Sequence, residues 1–594
     1  MQDLGQQNEA RDATTPKTTQ AVPQGSSWNR FEDYWNRIQV GRQGSYSIER
    51  LELLEHYCQT KSKARVFLVC ILTPLPVLTI AVLLECLPLR STSEGWAANW
   101  MFWIRLGLMV FTLSLAGFSQ INAFIPGFNL TVTKMVSASL GICVAQTGTY
   151  LLEGVVFGFP VPFMWQLGAI TMAVYAPAVT RLVFGSGLFK KGSLLWLHHE
   201  RFQRCFFVHL ALTGVYPLYK VLYDLIPQGY RGGVVVVLPI WKFAAKHFVV
   251  HATRDLEDFI PELVAFSVDF FSALFLSVCM TTSGSIPLSA LFIAADICQS
   301  MLEFREVRNN AKTLLQLVNA RRATEERLRM KNGHSSEHSE APGLLALILG
   351  VARNPSAYQV TSLDDARLWA SPPNLIPQKL HERMQILGES GIYGARGHPS
   401  NRTPLIPSKR KPRECPTPWD FRHVSVAPAP ALMPGTSRKF LKNQGTSTRS
   451  FKQAKRSKEM VLQGLQLLFH CEYLALVEYI ECVVPLVFVV YKSILQQLPN
   501  VVYYPGGAGS WGVTAVTNLL VFAVLEVASL VLLHVFLQRT FAFSSLYQLA
   551  FVLETQVYPV QANLFLEAIF LLQYQLEHLG ADFTFQFTWL RGKS

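Results

Sequence analysis

VFLVCILTPLPVLTIAVLLECL, Val66 to Leu87, is too long and too apolar to be an ordinary core helix of a soluble protein. A hydrocarbon slab of roughly 30 Å takes about 20 apolar residues of α-helix. The stretch therefore reads as a membrane span, with Pro74 and Pro76 predicted to kink it. Lys61, Lys63 and Arg65 stand just before it. Basic residues stay on the cytosolic side, so they predict a cytosolic N-terminus. The residues ahead of the span contain no hydrophobic region of the signal-peptide kind, and the first span is expected to act as an uncleaved anchor.

The same reading extends along the chain. Trp96, Trp100 and Trp103 crowd the start of a second span that carries Arg105 and ends near Ile121, as interfacial aromatics do. A third runs from about Thr131 to Leu152 with Lys134 near its start, and a fourth from Pro162 to Leu182. Arg181, Lys190, Lys191, Arg201 and Arg204 then fall in one loop, where orientation counting requires a cytosolic loop. Phe206 to Ile226, Gly233 to Val250, Pro261 to Met280 and Ile286 to Phe304 complete a first block. A ninth span starts near Met460 and ends at about Tyr491, and a tenth covers Gly512 to Leu537. Ser545 to about Leu579, interrupted at Pro559, is counted as one further span. The expected fold is an all-α polytopic integral membrane protein of about ten or eleven transmembrane helices in two blocks.

Composition agrees. Of 594 residues half are hydrophobic and only 16% are charged, which is outside soluble usage. The formal charge of +13 lies mainly in the N-terminal arm, the short loops and the hydrophilic insert from Arg305 to Lys458. That distribution is what positive-inside topology produces, so the basic excess points to a lipid bilayer with anionic headgroups, and not to nucleic acid. Most cysteines sit inside apolar runs with no Cys-x-x-Cys pair and read as small buried hydrophobes.

Four regions follow. Residues 1–62 form an arm expected to be disordered at first. Trp28, Phe31, Trp35 and Ile38 then recur at helical spacing, which suits either an interfacial amphipathic helix or a soluble helix packed on a cytosolic loop. Residues 63–304 are the first membrane block, 305–459 a basic and largely disordered cytosolic insert, and 460–594 the second block. In the insert Phe304, Val307, Ala311, Leu314 and Val318 follow a heptad spacing, so 304–330 is a candidate docking face for a cytosolic protein. Leu344 to Val351 is an apolar island too short to span. Lys409, Arg410, Lys411 and Arg413 form a polybasic cluster that reads as lipid-facing or as a solvated linker. Asn129 and Asn401 open Asn-x-Thr sequons on the expected cytosolic side, where glycosylation does not occur.

Ionisable groups inside a bilayer cost about 2.5 to 3.5 kcal/mol each on insertion scales, which makes them the first functional candidates. Asp269 and Asp296 fall at similar depth on adjacent antiparallel spans. Glu478 and Glu481 share a face at a separation of three, and Glu526 sits mid-helix opposite. Two readings stand: a proton or cation pathway, or acids that pair with Arg105, Lys134 or hydroxyls and only specify packing. Phe292 to Ile297 and Phe522 to Val527 each place an acid midway along a return helix, as the internal repeats of transporters do. His247, His251 and Asp255 recur at intervals of four, a spacing that can bind zinc, although interfacial histidines are the first reading and no cofactor is expected. Gly507, Gly509 and Gly512 spell a dinucleotide-binding pattern without the strand-helix-strand unit it requires.

Glu472, Tyr473, Glu478, Tyr479, Pro485, Leu498, Pro499 and Asn500 carry a resemblance across the last quarter of the chain. Gln548 to Glu554 and Leu576 to Phe583 extend it. This quarter resembles a family of multi-pass transmembrane proteins of oomycetes with no assigned activity. The resemblance implies a membrane protein and no site residues. The first functional expectation is a transporter of a proton-coupled or cationic solute. The second is a non-transporting scaffold or receptor whose insert recruits partners, and the third a membrane-bound metalloenzyme.

Overall fold

The computed structural model describes residues 39–582 and 587, apart from 126–129, 186, 188–189, 191, 228–229, 231–232, 283–285, 332–342, 372–375, 394–443 and 510. The helix at Trp28, both sequons and the polybasic cluster Lys409 to Arg413 lie outside the described residues.

In chain order the helices are α1 (Ile48–Thr60), α2 (Lys63–Glu85), α3 (Trp100–Phe124), α4 (Val132–Phe157), α5 (Met164–Phe184), α6 (Leu194–Leu225) and α7 (Val234–Ala252). α8 is a compound helix, Ile260–Val264, a π-helical turn Ala265–Asp269, then Phe270–Thr282. α9 (Ile286–Lys331), α10 (Leu344–Arg353), α11 (Gln378–Glu389), α12 (Gln444–Leu495), α13 (Val513–Phe541), α14 (Ser545–Thr555) and α15 (Val557–Gln573) follow. No strand occurs among the described residues. Eight described helical segments are long and apolar enough to cross a membrane, and the chain is an all-α polytopic membrane protein.

Burial separates the helices into shells. α8 and the membrane part of α12 are almost wholly enclosed by protein, while α4, α5 and α13 leave most of their apolar surface outside. On α4 the outer stripe is Val132, Val136, Leu140 and Val144, spaced by four. Such a stripe is unstable in water and at ease against lipid tails, so it marks the lipid face. The two sequence blocks do not stay apart: α12 packs on α8 and α9, and α15 packs on α3 and α2.

Pro74 acts where the sequence places it. α2 breaks at Thr73 and Pro74. Proline has no N–H for the carbonyl four residues back, Cys70, and the Tyr479 hydroxyl donates to it instead at 2.8 Å. The break between α14 and α15 falls at Gln556, not at Pro559. Pro559 lies in the first turn of α15, where helical N–H groups have no partner in any case.

The insert departs from expectation. Residues 343–371 and 376–393 are folded, with Leu347, Ile348, Leu363, Leu368 and Tyr393 buried. The apolar island becomes α10, whose stripe packs on α12 where Gly464 leaves room for Ile348. Arg353 clasps Glu52 of α1 with two bonds of 2.7 and 2.6 Å, and Arg367 grips Asp258 with two of 2.9 and 3.0 Å. These pairings join residues more than 100 positions apart, which composition does not register. α12 also begins earlier than Met460, because the polar residues ahead of it continue the helix. The heptad stripe of α9 is spent inside the chain: Val307, Ala311, Leu314 and Val318 are buried, and α9 packs on α12. A partner binding 304–330 must use its other faces.

Candidate functional site

We call the end of the bundle beside α1 and the folded insert the insert end, and the opposite one the far end. At about 1.5 Å per residue, Asp269, Asp296, Glu481 and Glu526 stand roughly 15 to 21 Å from the far-end termini of α8, α9, α12 and α13. They share one depth near the middle of the bundle.

The five acids meet in one cluster. Asp269 closes the π-helical turn of α8, an extra-residue bulge of the kind that re-aims a side chain. Its carboxylate lies 3.0 Å from Lys242 Nζ and 3.0 Å from Lys246 Nζ, both on α7. Lys242 also donates to Glu481 Oε1 at 2.7 Å, and Lys246 donates to the Tyr473 hydroxyl at 2.5 Å. One turn before Glu481, Glu478 accepts from Ser529. Glu526 and Asp296 share a hydrogen bond. Two ionised carboxylates offer only acceptors, so this bond requires one of the pair to hold a proton. Glu478, Glu481 and Glu526 each bring an oxygen within 4.8 Å of the other two, and all three are buried.

Glu303 and Glu306 continue the same face of α9 from Asp296 toward the insert end, at spacings of seven and ten. Glu303 accepts from Gln299 at 3.2 Å, and His470 Nε2 stands 3.8 Å from Glu306. The result is a ladder of carboxyls from the insert end to the cluster.

The expected counter-charges are corrected. Arg105 is fully buried nearer the far end, where it binds Glu85 at 2.6 and 3.0 Å and Gln573 at 3.0 Å. Tyr491 and Tyr504 each donate to the same Glu85 at 2.7 Å. Lys134 is exposed near the start of α4. The cations that face the acids are Lys242 and Lys246, a pair at i, i+4 in an otherwise apolar helix, and that pattern was the signal for them. The histidine spacing does not assemble either. α7 ends at Ala252, so Asp255 leaves the helix and pairs with Arg204 at 3.4 Å, while His247 Nδ1 contacts the Phe243 carbonyl at 3.1 Å. Gly507–Gly509 forms a 3-10 turn at the far end, away from any strand.

A second polar hub fastens the insert end. Arg50 of α1 reaches Glu472 at 2.7 Å and the Asp258 carbonyl at 3.1 Å, and Tyr46 also bonds Glu472. Burial alone would lower the Arg50 pKa, but Glu472, Tyr46 and Asp258 outweigh it and hold the guanidinium well above its usual value. The Arg50 guanidinium thus stays charged at the centre of this hub.

No protein-family model, curated protein or solved structure matches the chain.

Proposed function

We propose that this protein is a transporter of a proton-coupled or cationic solute, with Asp269, Asp296, Glu478, Glu481 and Glu526 lining the route. One observation carries the reading: among the described residues, five carboxyls from four helices converge at mid-depth on two ammonium groups. Acids that served packing alone would pair off one to one, because an uncompensated charge in the bundle costs several kcal/mol, about 3 to 5 when a buried partner is removed. Here the excess needs protons or cations. The π-helical turn at Asp269 and the carboxyl ladder on α9 support a route that opens toward the insert end. Basic residues around the insert support a cytosolic insert end, with Lys409, Arg410, Lys411 and Arg413 drawn to anionic headgroups.

The test is proton flux in vesicles reconstituted with the full chain, under a pH gradient and against a panel of cationic solutes. Wild-type vesicles should dissipate the gradient or couple it to a solute, and D296N and E526Q should slow this at least tenfold while folding normally. Flux that no gradient or solute alters would refute transport and favour the scaffold reading.

A further inference from the structure

The cluster divides into two halves of different chemistry. On the α7 side Lys242 and Lys246 contact Asp269, and Lys242 also contacts Glu481, with Glu303 nearby. On the α13 side no ion pair is formed by Glu478, Glu526 or Asp296 among the described residues. We propose that Glu478, Glu481 and Glu526 form a binding site for one divalent, oxygen-preferring cation. The inference rests on the transport reading and names its substrate class.

Three observations support it beyond the count of acids. Glu478 is 2% exposed, and its Oε2 has no hydrogen-bond partner. A buried carboxylate oxygen left bare is costly, and a bound cation would satisfy it. The ligand oxygens lie within 4.8 Å of one another. Two oxygens on one ion at about 2.0 to 2.6 Å stand no more than about 5 Å apart, so the triad needs little rearrangement. Pro485, four residues beyond Glu481 inside α12, has no N–H to give the Glu481 carbonyl, which leaves that backbone oxygen without its helical donor. Broken helices supply backbone carbonyls to cations in this way.

The donor set selects the class. Carboxylate and carbonyl oxygens suit Mg²⁺, Ca²⁺ and Mn²⁺, while thiolate-preferring and imidazole-preferring ions find no such donor in the triad. Lys242 contacts Oε1 of Glu481 at 2.7 Å. The ladder of Glu306, Glu303 and Asp296 draws cations along α9 to it.

The experiment uses the full chain in detergent micelles and Mn²⁺ alone, with free Mn²⁺ followed by electron paramagnetic resonance. One Mn²⁺ per chain should bind and be displaced by Ca²⁺ or Mg²⁺. E481Q and E526Q should each weaken binding at least tenfold, and D255N, at an exposed ion pair, should leave it unchanged. Should E526Q fail to fold, E478Q takes its place, with gel-filtration profile as the control. Absent Mn²⁺ binding, or binding that survives all three glutamine substitutions, overturns the site. Proton flux that persists without Mn²⁺ binding removes the ion site and leaves the transport reading intact; loss of both removes both.

Discussion

Replacing Lys242 by Met would remove the charge that spans the two halves of the cluster. Its ammonium is 2.7 Å from Glu481 and 3.0 Å from Asp269, and all three side chains are buried. At an effective dielectric constant of about 20, each contact is worth about 6 kcal/mol of direct attraction. Much of that is cancelled by desolvation, and breaking such a pair by deleting one partner costs about 3 to 5 kcal/mol. Asp269 keeps Lys246 at 3.0 Å, so Glu481 is the orphan. Adding Glu481→Gln removes the stranded charge and should recover most of the loss. The assay is a double-mutant cycle on unfolding of the full chain in detergent, with K242M, E481Q and the pair compared. A K242M protein as stable as wild type, or a pair that shows no recovery, would refute the placement of this lysine among the acids.

Other consequences follow from the surrounding structure. R367A strands Asp258 beneath the folded insert and should destabilise that cap by about 3 to 5 kcal/mol, read as faster proteolysis within 343–393. R367K should restore the cap only in part, since a lysine cannot reproduce the two-pronged grip. Burial, helped by the Glu55 charge, pushes the Cys58 thiol up to about 12. The thiolate therefore forms only well above neutrality, and a variant with Cys58 as its one cysteine should react slowly with maleimide at pH 8 and steeply faster as pH approaches that value. Gly580 has φ +60°, and a Cβ there would stand 2.1 Å from the Val161 carbonyl oxygen. G580A should lower stability by about 1 to 3 kcal/mol, visible as a fall in the unfolding midpoint.

The sequence alone carried the helices and their order, because a 20-residue apolar run has one stable solution in a bilayer. It also carried the common depth of Asp269 and Asp296, which counting along each helix recovers, but left open whether the five acids meet or pair off separately. The partners did not follow. Lys242 and Lys246 meet Asp269 at a π-helical turn, and no local pattern announces such a turn. Glu85 and Arg105 lie 20 residues apart across a hairpin, and the arginine is claimed by the nearer acid before it can reach the cluster. The folded insert was invisible for a different reason. Glu52 with Arg353, and Asp258 with Arg367, are non-local pairs whose members look like ordinary surface charges until the chain brings them together.

The most direct measurement of the shared-proton cluster is an infrared difference spectrum of the full-length protein at pH 7, wild type minus the D296N/E526Q pair. A proton held between these two carboxyls at mid-bundle predicts a carboxylic-acid C=O band in that difference. A difference containing only ionised carboxylate bands would contradict it.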